Sequence, residues 1–208
     1  MINGINSREM ILEILLEIEG GEHSHVAIRN ALSKYQFLPK QDRAFITRVC
    51  EGTLEYRIQI DYIINSFSKV TVDKMKPAIR EILRSAVYQL KYMDSVPDSA
   101  VCNEAVKLAQ RKGFYNLKPF VNGVLRTIAR EMDQVRFPQK EDDLLKYLSV
   151  KYSMPEVLVT RWLEAYGEET TEKILADFLM EHPLTIRCRT YLNSKEEVIK
   201  SLEVRAFM

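Results

Sequence analysis

From residue 77 to residue 130 apolar side chains return every third or fourth position, and a period near 3.6 is buried only by packing helices against one another. Two stretches inside this segment, VCNEAVKLA (residues 101–109) and KPFVNGVLR (residues 118–126), each hold an Asn within the apolar period, where helix propensity alone disfavours it. The same spacing continues along most of the chain. With 7 Gly and 7 Pro in 208 residues, the sequence points to a mainly helical protein rather than a β-rich one. An apolar fraction of 46% suffices for one well-packed core and a small second unit, and it excludes disorder as the dominant state.

The punctuation predicts where helices begin and end. Ser7 is placed to cap a first helix whose apolar positions are Ile11, Ile14, Leu15 and Ile18, with Gly20 and Gly21 as its stop. A short helix over residues 26–34 follows, and then a long helical pattern over 42–68 in which Gly52 marks a bend or a close helix crossing. Pro77 suits a first turn and opens a helix to Tyr92, with Ile79, Leu83, Ala86 and Leu90 as its buried row. Asp98 or Ser99 is expected to cap the next helix and Gly113 to end it, with Asn116 starting the helix after that. Short connections between five or more helices make a bundle.

Pro138 and the charges of RFPQKEDD then break the rhythm. The expected organisation is a helical domain over 1–136, a helical linker over 137–182 and a third segment over 183–208. The linker holds helices from about 141 to 151, 155 to 166 and 168 to 180. In the third segment Leu184, Ile186 and Cys188 alternate with Thr185, Arg187 and Arg189, the pattern of a half-exposed strand, and Ser194 with Glu197 forms a capping box for a short helix. A lone strand leaves its backbone unpaired, so this segment reads as the start of an incomplete α/β domain or as a strand that pairs with another chain.

Charge is asymmetric. Residues 1–136 hold 20 Lys and Arg against 16 Asp and Glu, and residues 137–208 hold 10 against 13, so the first part is the better polyanion partner. No apolar run approaches the roughly 20 residues that cross a bilayer, and the first ten residues lack a secretory pattern, which makes cytoplasm the expected compartment. Cys50, Cys102 and Cys188 lack metal or disulfide spacing and read as small apolar side chains, while His23, His25 and His182 form no ligand set. No Gly-rich phosphate loop and no Pro-Cys pair occur, so neither a catalytic residue nor a cofactor site is expected in this chain.

Three stretches carry a family resemblance: the paired helices of 101–126, DRAFITRVCEGTLEYRIQID (42–61) and YSMPEVLVTRW (152–162). Together they resemble the NusB-like helical fold, and in particular the NusB-like amino-terminal domain of the bacterial ribosomal RNA cytosine-C5 methyltransferases of the Sun/Fmu (RsmB) group. Val157 departs from that group, which often has Trp at this place. The resemblance implies an all-α NusB-like bundle that docks small-subunit rRNA. It places S-adenosylmethionine, together with the cysteines that form and resolve the cytosine adduct, in a further domain.

The residues supply their own case for RNA. In the helix over 117–131, Val121, Val124, Leu125 and Ile128 make one apolar face, and Lys118, Asn122, Arg126 and Arg130 recur every fourth residue beside it. By the resemblance, the first helix and the loop before this one also meet RNA, through Arg8, Tyr115, Lys118 and Phe120, with Tyr115 and Phe120 able to stack on unpaired bases. Asn103 is expected to satisfy backbone groups across the bundle, and Arg43 to pair internally. Two other readings are a NusB-type transcription antitermination factor, which needs a protein partner, and a helical protein-interaction scaffold whose basic stripe is inert.

Overall fold

A computed structural model describes residues 6–180, 185–189 and 191–206 of the chain. The described chain divides into two compact units, residues 1–176 and 177–208. In the first unit α1 (Ser7–Glu19), α2 (Ser24–Lys34), α3 (Lys40–Glu55), α4 (Arg57–Phe67), α5 (Pro77–Tyr92), α6 (Asp98–Arg111) and α7 (Lys118–Glu131) form the bundle. α8 (Leu144–Lys151) and α9 (Glu156–Phe178) follow.

α5 is the axis. Pro77 lies in its first turn, where a missing N–H costs nothing. It packs against α1, α3, α4, α6 and α7, so every residue from Glu81 to Gln89 is buried, Arg84 and Gln89 included. Around it lie Ile11, Leu12 and Leu15 of α1, Ile46 and Val49 of α3, Ile60 and Ile64 of α4, Val101 and Leu108 of α6, and Val121, Leu125 and Ile128 of α7.

The helix limits differ from the sequence expectation in instructive ways. Asn6 caps α1, its side chain accepting the Arg8 N–H at 2.9 Å, and Ser7 is the first helical residue. The long pattern over 42–68 is two helices with a break at Tyr56, and both pack against α5. Gly52 marks a close crossing: a Cβ there would overlap the Tyr88 ring of α5. Pro97, in extended conformation, starts α6 without a side-chain cap, and Asp98 sits in the first turn, where its carboxylate complements the helix dipole. Gly113 ends the helix as expected. At φ 84 it lets the Phe114 N–H reach back to the Ala109 carbonyl, a Schellman closure. Residues 115–117 form a 3₁₀ turn, and α7 starts at Lys118 rather than Asn116.

α8 starts at Leu144, later than expected, because Asp143 is the cap and accepts the Lys146 N–H at 2.9 Å. α9 is broken at Gly167 (φ 73, ψ 174), so the two expected helices are its two halves. Leu148, Val159 and Leu175 form a second small core, backed by Tyr147, Tyr152 and Trp162. This segment is tied to α4. The Ile58 N–H donates to Ser153 Oγ at 3.1 Å, and Gln59 Nε2 donates to the carbonyls of Val150 and Lys151, each at 3.1 Å.

In the second unit the capping box forms as the spacing predicts. The Glu197 N–H donates to Ser194 Oγ at 3.2 Å, and the Ser194 N–H donates to a Glu197 carboxylate oxygen at 2.9 Å, opening α10 (Lys195–Ala206). The expected strand begins at Leu184, outside the described residues. Within 185–189 no strand is present and Ile186 is exposed, as an alternating segment must be when it has no ladder to join. No β-strand occurs among the described residues.

Candidate nucleic-acid interface

The residues singled out on and before α7 fall into two groups. Val121, Val124, Leu125 and Ile128 are buried, which turns the opposite side of the helix outward. On that side Arg126 and Arg130 are exposed, while Lys118 and Asn122 are half-buried. Arg126 Nε donates to the Asn122 side-chain oxygen at 2.9 Å, so this pair presents its remaining donors as one unit. Arg130 engages the neighbouring Glu131 carboxylate at 2.6 Å, and with its side chain 71% exposed this pair is of little energetic weight. Tyr115, at 61% exposure in the 3₁₀ turn, offers a ring to solvent. Phe120 is half-buried and packs against the core.

Arg8 is half-buried. It lies on α1, with Nε donating to the Gln89 side-chain oxygen at 3.2 Å and the guanidinium 5.3 Å from the centre of the Phe45 ring. Burial holds its pKa below the usual arginine value, against the pull of Glu104. Arg8 is thus a half-buried bracket between α1 and α5. Asn103 is exposed on α6 and bridges no loop across the bundle.

Arg84 and Arg80 pair internally, whereas Arg43 makes no ion pair among the described residues. The Nε and Nη2 of Arg84 grip both oxygens of Asp61 at 2.7 and 2.6 Å, and its Nη1 donates to Glu81 at 2.6 Å. The helical period treats position 84 as one more turn of α5, so nothing in the spacing distinguishes it. A second feature missed in the sequence lies where Phe137 meets α4 and α5. Phe137 stacks on Tyr62 with centroids 5.7 Å apart, and the Tyr62 hydroxyl donates to the Arg136 carbonyl at 2.7 Å.

Cys50 and Cys102 are buried, as their reading as apolar side chains requires. Burial pushes the Cys50 thiol up to about 12, which leaves it without thiolate character at neutral pH. Among the described residues no group of three His, Cys, Asp or Glu side chains is placed to hold a metal. No helix among them is long and apolar enough to cross a membrane.

The NusB family model matches residues 5–130. A relative from Bacillus subtilis, the probable ribosomal RNA small subunit methyltransferase B, is 32% identical over 195 residues, covering 94% of this chain and 43% of the relative. The chain thus spans less than half the length of that relative. Among solved structures, PH0851 is 23% identical and superposes with a TM-score of 0.68 over 97% of this chain and 45% of its own. The complex of antitermination factors NusB and NusE with dsRNA contains a chain that is 21% identical, with a TM-score of 0.55 over 60% of this chain and 93% of its own. These two structural likenesses concern the fold. With the family model covering more than half of the sequence and the bundle built as described, the chain belongs to the NusB family.

Proposed function

We propose that this chain is the rRNA-docking region of a ribosomal RNA small subunit methyltransferase, and that it supplies RNA affinity rather than the reacting groups. The observation that carries this reading is reach. The likeness to the Bacillus subtilis protein runs through 94% of the chain, past residue 130 where the NusB family match stops. An antitermination factor accounts for less, since the NusB chain solved with NusE and dsRNA covers 60%. That complex supports RNA as the partner class and leaves room for a protein partner. S-adenosylmethionine and the cytosine-C5 chemistry belong, in this reading, to the part of the full-length protein beyond the matched span. The setting is the cytoplasm, where the rRNA substrate lies.

On α7 the face formed by the half-buried Lys118 and Asn122 and the exposed Arg126 would meet phosphate and sugar, with Tyr115 stacking on an unpaired base. Such a region raises the local concentration of its rRNA segment near a tethered active site. Fluorescence anisotropy with a small-subunit rRNA hairpin across a salt series tests it. Wild-type affinity should fall with salt, and a Lys118→Glu/Arg126→Glu variant with an unchanged circular dichroism spectrum should bind at least about tenfold more weakly, its salt slope reduced by about two. Absence of RNA binding by the wild-type chain at low salt would overturn the reading in favour of the protein-interaction scaffold.

A further inference from the structure

Between α4, the end of α5 and the segment leading into α8 there is a cleft of about 260 Å³ lined by Gln59, Lys91, Phe137, Pro138, Tyr147 and Lys151. This lies just below the about 300 Å³ at which pockets for drug-sized ligands begin, the scale of one nucleoside and far too small for a helix. We infer that the cleft is a second RNA contact, taking one unpaired nucleotide with its base against the aromatic wall and its phosphate at Lys91. The inference rests on the RNA-docking reading and extends it to a part of the chain beyond the NusB family match, because Phe137, Pro138, Tyr147 and Lys151 all lie after residue 130.

Charge and apolar surface together point to this occupant. Lys91 is half-buried, and among the described residues no carboxylate lies within ion-pairing distance of it. Its ammonium is held only over the rings of Tyr92 and Phe137, at 5.5 and 5.6 Å from their centres. Burial holds its pKa below the ordinary lysine value, and the more distant Asp133 offsets this only in part. A desolvated cation without a counter-charge is costly, and a phosphate oxygen at the rim would offset that cost.

The walls are fixed before any ligand arrives. Phe137 is held by its stack on Tyr62. Gln59 is held by the Tyr92 hydroxyl on one side and the carbonyls of Val150 and Lys151 on the other. Lys151 lies 4.9 Å from the centre of the Tyr147 ring, and Glu172 accepts from it at 2.9 Å. Lys151 is therefore paired with a carboxylate, and Lys91 is left as the lining lysine without one. Pre-organised aromatic and cationic groups of this kind bind single strands with little regard to sequence.

The test compares Lys91→Gln and Lys91→Arg with the wild-type 208-residue chain on two probes. One is a single-stranded oligoribonucleotide carrying 2-aminopurine at successive positions, and the other is a fully paired duplex of the same length. The inference expects 2-aminopurine emission to change on binding at one position, Lys91→Gln to lose that change and about tenfold in affinity for the single strand only, and Lys91→Arg to keep both. Equal single-strand binding by Lys91→Gln and the wild type, alongside weakened binding by the α7 double variant, would overturn the cleft and leave the docking reading standing. Failure of the wild-type chain to bind either probe would overturn both.

Discussion

Arg84 shows how much a single buried side chain can commit a fold to. Its guanidinium faces Asp61 and Glu81 with side-chain exposures of 11, 22 and 4%, so three charges share one mostly desolvated corner between α4 and α5. The bidentate grip of Asp61 is what makes that tolerable. Asp61→Ala should cost about 1–3 kcal/mol in urea unfolding, since it removes two of the three bonds to the guanidinium and leaves it on Glu81 alone. A loss below about 1 kcal/mol would mean that the pair is solvated and contributes little. Gly52 makes a different commitment, to space: Gly52→Ala drives a methyl into the Tyr88 ring and should lower stability by about 1–3 kcal/mol, read as a drop in Tm. The sequence disclosed Gly52, because glycine inside a long helical period is an exception that asks for a reason. It did not disclose Arg84, because a charged residue on a helix is ordinary until the opposite helix is known to cover it. The same blindness hid the partners of Arg8 and Phe120, both of which pack half-buried against the bundle.

At the scale of elements, local rules located starts and stops well wherever backbone groups decide them. The Gly113 closure, the first-turn Pro77, the break at Gly167 and the Ser194 capping box all follow from chemistry within a few residues. The break at Tyr56 was not legible, because no glycine, proline or capping side chain marks it. The α8 and α9 pair illustrates an element contact that only the fold creates. One Glu172 oxygen accepts from Lys151 Nζ at 2.9 Å and Tyr152 OH at 3.0 Å, and the other lies 3.5 Å from Lys140. The bond from Lys151 holds the Glu172 carboxyl below its ordinary value of 4.5, with Tyr152 adding to the effect. A depressed carboxyl stabilises the fold at pH values above its unfolded pKa, and that stabilisation is lost as pH falls through the folded value. Acidification below about pH 4.5 should therefore loosen this pair, seen as a change in emission of Trp162, the chain's one tryptophan. Glu172→Gln should flatten that transition, and an identical acid midpoint in both proteins would remove Glu172 from the account.

The whole first unit is held by two cores of unequal size. The larger surrounds α5 and draws on seven helices, whereas the smaller rests on Leu148, Val159 and Leu175 with a partly buried fringe. Burial of apolar area sets the free energy of local opening, so the α8 and α9 segment is the part of this unit that should open below the global unfolding limit. What couples it to the bundle is narrow: the Ile58 and Gln59 hydrogen bonds to 150–153 and the stack of Phe137 on Tyr62. The cleft that contains Lys91 is built across this coupling, so RNA held there would join the two cores and protect the weaker one. Hydrogen exchange read by mass spectrometry should show residues 144–166 exchanging well before those of α5, and Ser153→Ala should speed the first group while leaving α5 unchanged. A single-stranded oligoribonucleotide should slow exchange in the first group, and Lys91→Gln should abolish that slowing. Uniform protection across both cores, with or without RNA, would instead make the unit one cooperative body and would leave the cleft no part in holding it together.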